Sequence, residues 1–156
     1  MKYVPDSNSP EWGLCYAINY LVTKMRYTTM QTLRNAGCVD LSLDQYECLF
    51  VIYQNNGIHQ RQISKVLLKD RPNVSRILKF LEEKKLVLRK TNKDNKKIQE
   101  VYITELGKQL VYIAAPHKNA CGEKFLKNFT EEELQQLQML IEKMSQNTEG
   151  LYTINI

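Results

Sequence analysis

The stretch RQISKVLLKDRPNVSRI, residues 61–77, decides the fold that the sequence predicts. Its first half carries the apolar residues Ile63 and Leu67 one helical turn apart, and its second half repeats that spacing. Between them Asp70 can cap a further helix, in whose first turn Pro72 is tolerated. Two short helices, from about residue 59 and from residue 70, are therefore separated by only a few residues, which is helix-turn-helix spacing.

The residues that follow change from helical to strand periodicity. Residues 86–90 predict a strand, residues 91–97 form a polar turn, and residues 98–103 predict a returning strand with Val101 and Ile103 on one face. Together they form a hairpin with a charged tip. The sequence thus predicts a winged helix-turn-helix.

Two helices are expected before this unit. The first starts at Ser9 and Pro10 and stops near Gly37, and the second opens with Ser42 and Gln45 at capping-box spacing. A first helix of about seven turns is longer than one small domain can cover, so part of it is expected to pack against another chain.

Two more helices are expected after it. Thr104 caps the first, which Pro116 is expected to kink or end, and Thr130 with Glu133 forms a capping box for the last. Residues from about Gln146 are expected to be loosely ordered. The fold class is mainly α (α+β), with residues 41–104 forming the winged helix-turn-helix and residues 1–40 and 105–156 forming a helical region expected to dimerise.

Composition limits the class of protein. Hydrophobic residues make up 43% and charged residues 25%, as in a soluble globular protein. No apolar run is long enough for a membrane span, and Asp6, Pro10 and Glu11 interrupt any signal-peptide core. We therefore expect a cytoplasmic protein that does not enter a membrane.

No metal site, cofactor or catalytic constellation is predicted. The four cysteines are far apart and show neither metal-ligand spacing nor a C-x-x-C pair. There are two histidines, and neither a nucleophile elbow nor a phosphate loop is present. The sequence therefore predicts a protein that is not an enzyme.

Positive charge is concentrated in one segment. The chain has a net charge of +5, but residues 61–97 hold thirteen basic and four acidic side chains. The rest of the chain is mildly acidic. This distribution is typical of a protein whose single basic surface meets a polyanion.

Six collinear segments resemble the MarR family of transcriptional regulators. They are LSLDQY at 41–46, QIS at 62–64, NVSRI at 73–77, LEEKKLV at 81–87, ITELG at 103–107 and FTEEEL at 129–134. The resemblance implies an obligate homodimer built from the first and the last two helices, and a palindromic double-stranded DNA operator. It also implies a regulator, in most cases a repressor, that a small aromatic ligand can release from DNA.

The sequence departs from the family pattern at three places. The wing tip reads Asp94-Asn95-Lys96 where the family usually has Asp-x-Arg, so bidentate arginine geometry is lost while the charge remains. Lys85 must make a turn that glycine commonly makes. His59 stands where serine or threonine often caps the first helix of the helix-turn-helix.

Position on the predicted elements assigns three groups of DNA-binding residues. The recognition helix presents its N-terminal half to the major groove, while the wing lies along or in the minor groove and the preceding helix reaches the backbone. The recognition-helix residues are Arg71, Pro72, Asn73, Ser75, Arg76 and Lys79. The wing residues are Arg89, Lys90, Lys93, Asp94, Lys96 and Lys97, and the backbone residues are Gln60, Arg61 and Gln62. An alternative for Arg76 is an ion pair with Glu82 or Glu83, or a solvated surface charge.

Regulation admits several hypotheses. Tyr16, Tyr20, Tyr46 and Tyr53 lie on helices that would line a ligand crevice, although they are better explained as ordinary core and interface aromatics. Alternatively, Cys15 could sense thiol oxidation, because the residues around it resemble the start of the first helix in the family's hydroperoxide sensors. A third possibility is a winged-helix module that binds protein, which the thirteen basic residues disfavour.

Overall fold

The computed structural model describes residues 10–37, 40–96 and 98–149, with side chains from residue 13. In chain order the elements are α1 Pro10–Asn35, α2 Leu43–Gln54, β1 Ile58–His59, α3 Gln60–Leu67, α4 Arg71–Glu83, β2 Val87–Thr91, β3 Gln99–Ile103, α5 Glu105–Leu126 and α6 Glu131–Thr148. The predicted winged helix-turn-helix, flanked by long helices, is confirmed.

The helix starts depend on the caps that the sequence predicts. The Ser42 and Thr130 hydroxyls accept from the backbone N–H groups three residues on, with glutamine and glutamate side chains reaching back. The Thr104 hydroxyl accepts from Gly107 N–H at 3.1 Å. These bonds satisfy amides that a helix leaves free at its first turn. The predicted cap of α1, Ser9, lies outside the described residues.

The wing sheet has three antiparallel strands in the order β1-β3-β2. Val87 lies opposite Ile103 on one side of β3, and Ile58 lies opposite Val101 on the other. The sequence predicted only the β2–β3 hairpin. The two-residue β1 was missed because it is too short to show periodicity, and it exists only because β3 supplies its partner.

One core holds the winged unit together. Tyr46, Leu49 and Ile52 of α2 are fully buried and belong to the same cluster as Leu78 of α4 and Val101 of β3. The start of α5 joins this core through its buried residues, which include Gly107, Val111 and Ala114. The core therefore connects the helix that leads away from the wing to the helix-turn-helix.

The C-terminal helices differ from the prediction at two places. Of the two outcomes expected at Pro116, a kink or an end, the end is wrong, because α5 continues to Leu126. Proline removes one backbone hydrogen bond, but packing of α5 on α1 and α2 holds the two halves in one helix. Helix α6 extends to Thr148, so the expected disorder from Gln146 is wrong for residues 146–148.

Large apolar side chains stay exposed on the outer helices. Among the described residues α6 has no buried side chain, and Met139, Leu140 and Ile141 are each more than half exposed. Leu14 and Leu21 of α1 are similarly exposed. Within the described residues, no helix combines the length and apolar character needed to span a bilayer.

Candidate nucleic-acid interface

Helix α4 is held by its cap and its apolar stripe. The Asp70 carboxylate accepts from Asn73 N–H at 2.7 Å, which fixes the first turn. Val74, Ile77, Leu78 and Leu81 are buried, whereas Arg71 and Arg76 are exposed. Neither arginine forms an ion pair with any residue in the part of the chain that the structure describes.

Glutamates near the end of α4 do not pair with Arg76. Glu82 accepts from the Arg89 backbone N–H at 3.2 Å and from its Nε at 2.9 Å, and these hydrogen bonds hold the pKa of Glu82 below its ordinary value. Glu83 lies 4.0 Å from Lys79 Nζ. The ion-pair alternative for Arg76 is therefore wrong, and the side chain that Glu82 holds is Arg89.

Arg89 consequently differs from the other predicted wing cations. Its guanidinium is bound to Glu82, so it joins β2 to α4 instead of extending from the surface. Of the remaining wing residues, Lys90, Lys93, Asp94 and Lys96 are exposed. Lys97 lies outside the described residues.

The wing tip is closed by Asn92. Its Oδ1 accepts from the N–H groups of Asp94 at 2.9 Å and Asn95 at 2.8 Å. This side-chain turn acts together with two backbone bonds of 2.9 Å, from Asn92 N–H to the Ile98 carbonyl and from Ile98 N–H to the Asn95 carbonyl. Asn92 Nδ2 in turn donates to Glu100, and this bond, followed by one from Tyr102, holds the pKa of Glu100 below its ordinary value.

The start of α3 meets the wing beside α4. His59 is the N-cap, and its N–H donates to Gln62 Oε1 at 3.0 Å, so the predicted DNA residue Gln62 also caps its helix. A groove of about 540 Å³ runs between the three elements and is lined by His59, Gln60, Arg61, Arg71, Asn95, Ile98 and Gln99. The structure thus brings predicted residues of α3 and α4 together with the wing.

Sequence reasoning missed several residues of this groove. His59 was considered only as a cap, and Asn95 only as part of a tip pattern. Ile98 and Gln99 carry no charge or motif that would single them out. Their place depends on the register of β3 against β1, which no local pattern reveals.

A second cluster that the sequence did not predict joins α1 to the helix-turn-helix. Asp44 of α2 binds Arg26 of α1 through Oδ1 and Lys69, in the turn between α3 and α4, through Oδ2 at 2.9 Å. Burial alone would raise the pKa of Asp44, but the bonds and charges of Lys69 and Arg26 outweigh it and leave the pKa lowered. The turn is thereby tied to α1.

A crevice of about 230 Å³ lies between α1, α2 and α5. It is lined by Met25, Arg26, Thr29, Leu43, Glu47, Lys118, Gly122 and Phe125, and none of the four tyrosines predicted for such a crevice is among these side chains. Tyr46 is instead in the core, while Tyr16 and Tyr20 stack on each other on exposed α1.

The described cysteines occupy different surroundings. Cys15 is exposed on α1, and Cys121 is buried with its Sγ 3.7 Å from Thr29 Oγ1. Burial raises the pKa of the Cys48 thiol to about 12. Over residues 10–37, 40–96 and 98–149, no group of three or more histidine, cysteine or acidic side chains could hold a metal ion.

Comparisons with known proteins agree on one family. Residues 41–98 match the MarR family model. The chain is 31% identical over 111 residues to YybA, an HTH-type transcriptional regulator of Bacillus subtilis, covering 71% of this chain and 74% of that protein. It superposes on the transcriptional regulator SlyA with a TM-score of 0.78 at 26% identity, covering 86% of this chain and 93% of that one. It superposes on S. aureus MepR in a complex with DNA with a TM-score of 0.79 at 25% identity, covering 90% and 100% of the two chains.

Proposed function

Because the chain belongs to the MarR family of transcriptional regulators, we propose that it binds double-stranded DNA as a homodimer and represses transcription from a palindromic operator. The protein is a DNA-binding regulator, and its membership confirms the expectation that it is not an enzyme. We propose four further properties: the homodimeric state, the palindromic operator, repression of transcription, and action in the cytoplasm. The division into a DNA-binding unit at residues 41–104 and a dimerisation region at residues 1–40 and 105–156 is also part of the proposal.

The observation that carries the proposal is the exposed cationic surface, defined as Arg61, Arg71, Arg76, Lys93 and Lys96. All five are exposed, and none forms an ion pair within the described residues. Other cations, among them Arg26, Lys69 and Arg89, are instead bound by carboxylates of the protein itself. Unmatched cations on α3, α4 and the wing are available to phosphate, and releasing counterions from DNA favours binding.

Exposed apolar residues on α1 and α6 support the dimer. Side chains such as Leu14, Leu21, Leu140 and Ile141 leave apolar area in water, which a second copy would cover. Pairing through these helices would repeat the cationic surface about a two-fold axis. Two recognition helices would then face successive major grooves.

Selection of bound duplexes from a random pool, followed by footprinting, tests the proposal. We expect an inverted-repeat site protected by a dimer. If about six cations per subunit neutralise phosphates, the dimer neutralises about twelve, and its log–log salt slope should be about −11. A slope flatter than about −2, or a monomer in solution, would overturn the assignment.

Substitutions separate sequence readout from charge. Arg76→Ala and Asn73→Ala should relax base preference at single positions, since a good base contact is worth about 1–3 kcal/mol. Lys93→Ala should weaken binding to all duplexes alike and flatten the salt slope. Lys127→Ala, which removes an exposed charge between α5 and α6, is the matched control and should leave binding unchanged.

A small aromatic ligand in the crevice between α1, α2 and α5 is the regulatory part of the proposal. Met25, Leu43 and Phe125 give it an apolar wall, and Lys118 gives it a positive charge. Its volume is below the roughly 300–1,000 Å³ of common ligand sites, so binding would require the helices to separate. Salicylate added to the protein–DNA complex should release the wild-type protein from DNA. It should not release a Leu43→Trp variant, chosen so that it binds DNA as tightly as wild type. Equal release of both would overturn this site.

A further inference from the structure

A hydrogen-bonded cluster lies on the outer face of the wing sheet. Glu100 is at its centre, on the middle strand β3, opposite His59 of β1 and Lys90 of β2. Its side chain is 20% exposed. A carboxylate beside a surface that meets phosphates is electrostatically unfavourable, so its place needs a separate physical reason.

One oxygen of Glu100 holds the wing tip. Glu100 Oε1 accepts from Asn92 Nδ2 at 2.6 Å. The other end of the same amide accepts the backbone N–H groups of Asp94 and Asn95. Asn92 is thus oriented by Glu100, and the tip turn is oriented by Asn92.

The same carboxylate also lies beside β1, the strand that leads into α3. Glu100 Oε2 accepts from the Tyr102 hydroxyl at 2.8 Å, and His59 Nε2, just before α3, lies 3.9 Å from Oε1. The Tyr102 ring packs closely on Gly57, where an added Cβ would come within 3.1 Å of Cε1. Lys90 Nζ lies 5.2 Å from the centre of the same ring. The carboxylate therefore connects the tip to β1 and the helix that follows it.

We propose that Glu100 is a positioning residue, which fixes the wing tip relative to α3 so that the wing lysines meet the DNA already ordered. Ordering a segment before binding removes an entropic cost that binding would otherwise carry. The proposal rests on the proposed DNA-binding function. A carboxylate without this role would only repel phosphates.

Two substitutions at Glu100 give opposite expectations for these two roles. Glu100→Gln keeps an oxygen that accepts from Asn92 and gains an amide N–H that can donate to the Tyr102 hydroxyl. Glu100→Ala loses both bonds. Positioning predicts that Glu100→Ala weakens DNA binding about two- to tenfold, the range of one net hydrogen bond, while Glu100→Gln binds as wild type or tighter. If both variants bind more tightly by the same factor, the carboxylate only repels DNA and the proposal is wrong.

Amide hydrogen exchange on the DNA-free protein tests the cluster independently of DNA. The amides of Asp94 and Asn95 should exchange faster in Glu100→Ala than in wild type or Glu100→Gln. If Glu100→Ala does not fold, Tyr102→Phe replaces it in the test. This variant keeps the ring and loses only the hydrogen bond to Glu100, so it should accelerate exchange of the same two amides by a smaller factor. Glu105→Ala, at an exposed carboxylate outside the wing, is the control and should leave these amides unchanged. Unaltered exchange in Glu100→Ala overturns the proposal, whereas altered exchange in a protein that binds no duplex contradicts only the proposed function.

Discussion

The close approach of α5 to the wing can be tested by replacing Gly107 with alanine. A Cβ at this position would lie 2.7 Å from Ile103 Cγ1 and still closer to the carbonyl oxygen of Leu86. That carbonyl cannot move aside easily, because it accepts from Thr104 N–H at 3.0 Å. Since carbon contacts are most favourable at about 3.5–4.0 Å, the helix would have to retreat by about 1 Å.

Two effects of opposite sign determine how much Gly107→Ala changes the free energy of unfolding. Overpacking of a filled interior costs about 1–3 kcal/mol, and an immovable backbone obstacle puts Gly107→Ala at the upper end. Replacing glycine by alanine inside a helix returns about 1 kcal/mol. The expected net loss is about 2 kcal/mol, equivalent to a decrease in Tm of about 4–8 °C for a chain of this size.

Chemical and thermal unfolding followed by circular dichroism measure this loss. Gly122→Ala is the matched control, because it lies in the same helix and an added Cβ there meets nothing within 4 Å. The free energy of unfolding of Gly122→Ala should rise by up to about 1 kcal/mol. All variants are compared at one protein concentration, since the stability of the proposed dimer would depend on it. The reasoning is refuted if Gly107→Ala is as stable as wild type while Gly122→Ala shows its gain.

Three further predictions concern single side chains. Lys85 has φ +58°, a backbone conformation that is strained for any residue but glycine. Lys85→Gly should therefore raise the free energy of unfolding in urea by about 1 kcal/mol, while Lys85→Ala should leave it unchanged. Equal free energies for the two variants would contradict the strain. Asp44→Asn should cost about 1 kcal/mol at pH 7, a value that allows for solvent screening. Because the folded-state pKa of Asp44 is below its ordinary 3.8, this cost should disappear as the pH falls through the folded value, and a cost that does not diminish on acidification would contradict the ion pairs. Cys48 should resist iodoacetamide at pH 8 until the chain unfolds, since the thiolate is the reactive form, and rapid labelling of the native protein would contradict its burial.

Local signals were enough to predict most elements of the fold. The caps at Ser42, Asp70, Thr104 and Thr130 act within one helical turn, so the sequence around each contains all that determines it. The turn at Lys85, where φ is positive, was expected only from the resemblance, because the family commonly has glycine there. Strand β1 and the continuity of α5 past Pro116 depend on partners distant in sequence, and local patterns could not predict them.

The candidate site, too, has residues that the local sequence predicts and residues that depend on how the chain packs. Charge and helix position single out Arg71 and Arg76, both exposed on α4 as expected. The sequence could not show which cations carboxylates hold, because Arg89 with Glu82 and Lys69 with Asp44 depend on how strands and helices pack. Glu100 has no sequence signal at all, since its importance arises from a register between three strands.

If the proposed homodimer pairs through the exposed apolar side chains of α6, this pairing has a genetic consequence. A cell that expresses an intact allele and an Arg76→Ala allele equally would mix the two products at random, because the substitution leaves the pairing helices untouched. About three quarters of the assemblies would then contain at least one damaged chain, and the defect would be inherited as dominant. An allele whose α6 carries charge at Leu140 would fail to mix and would be recessive.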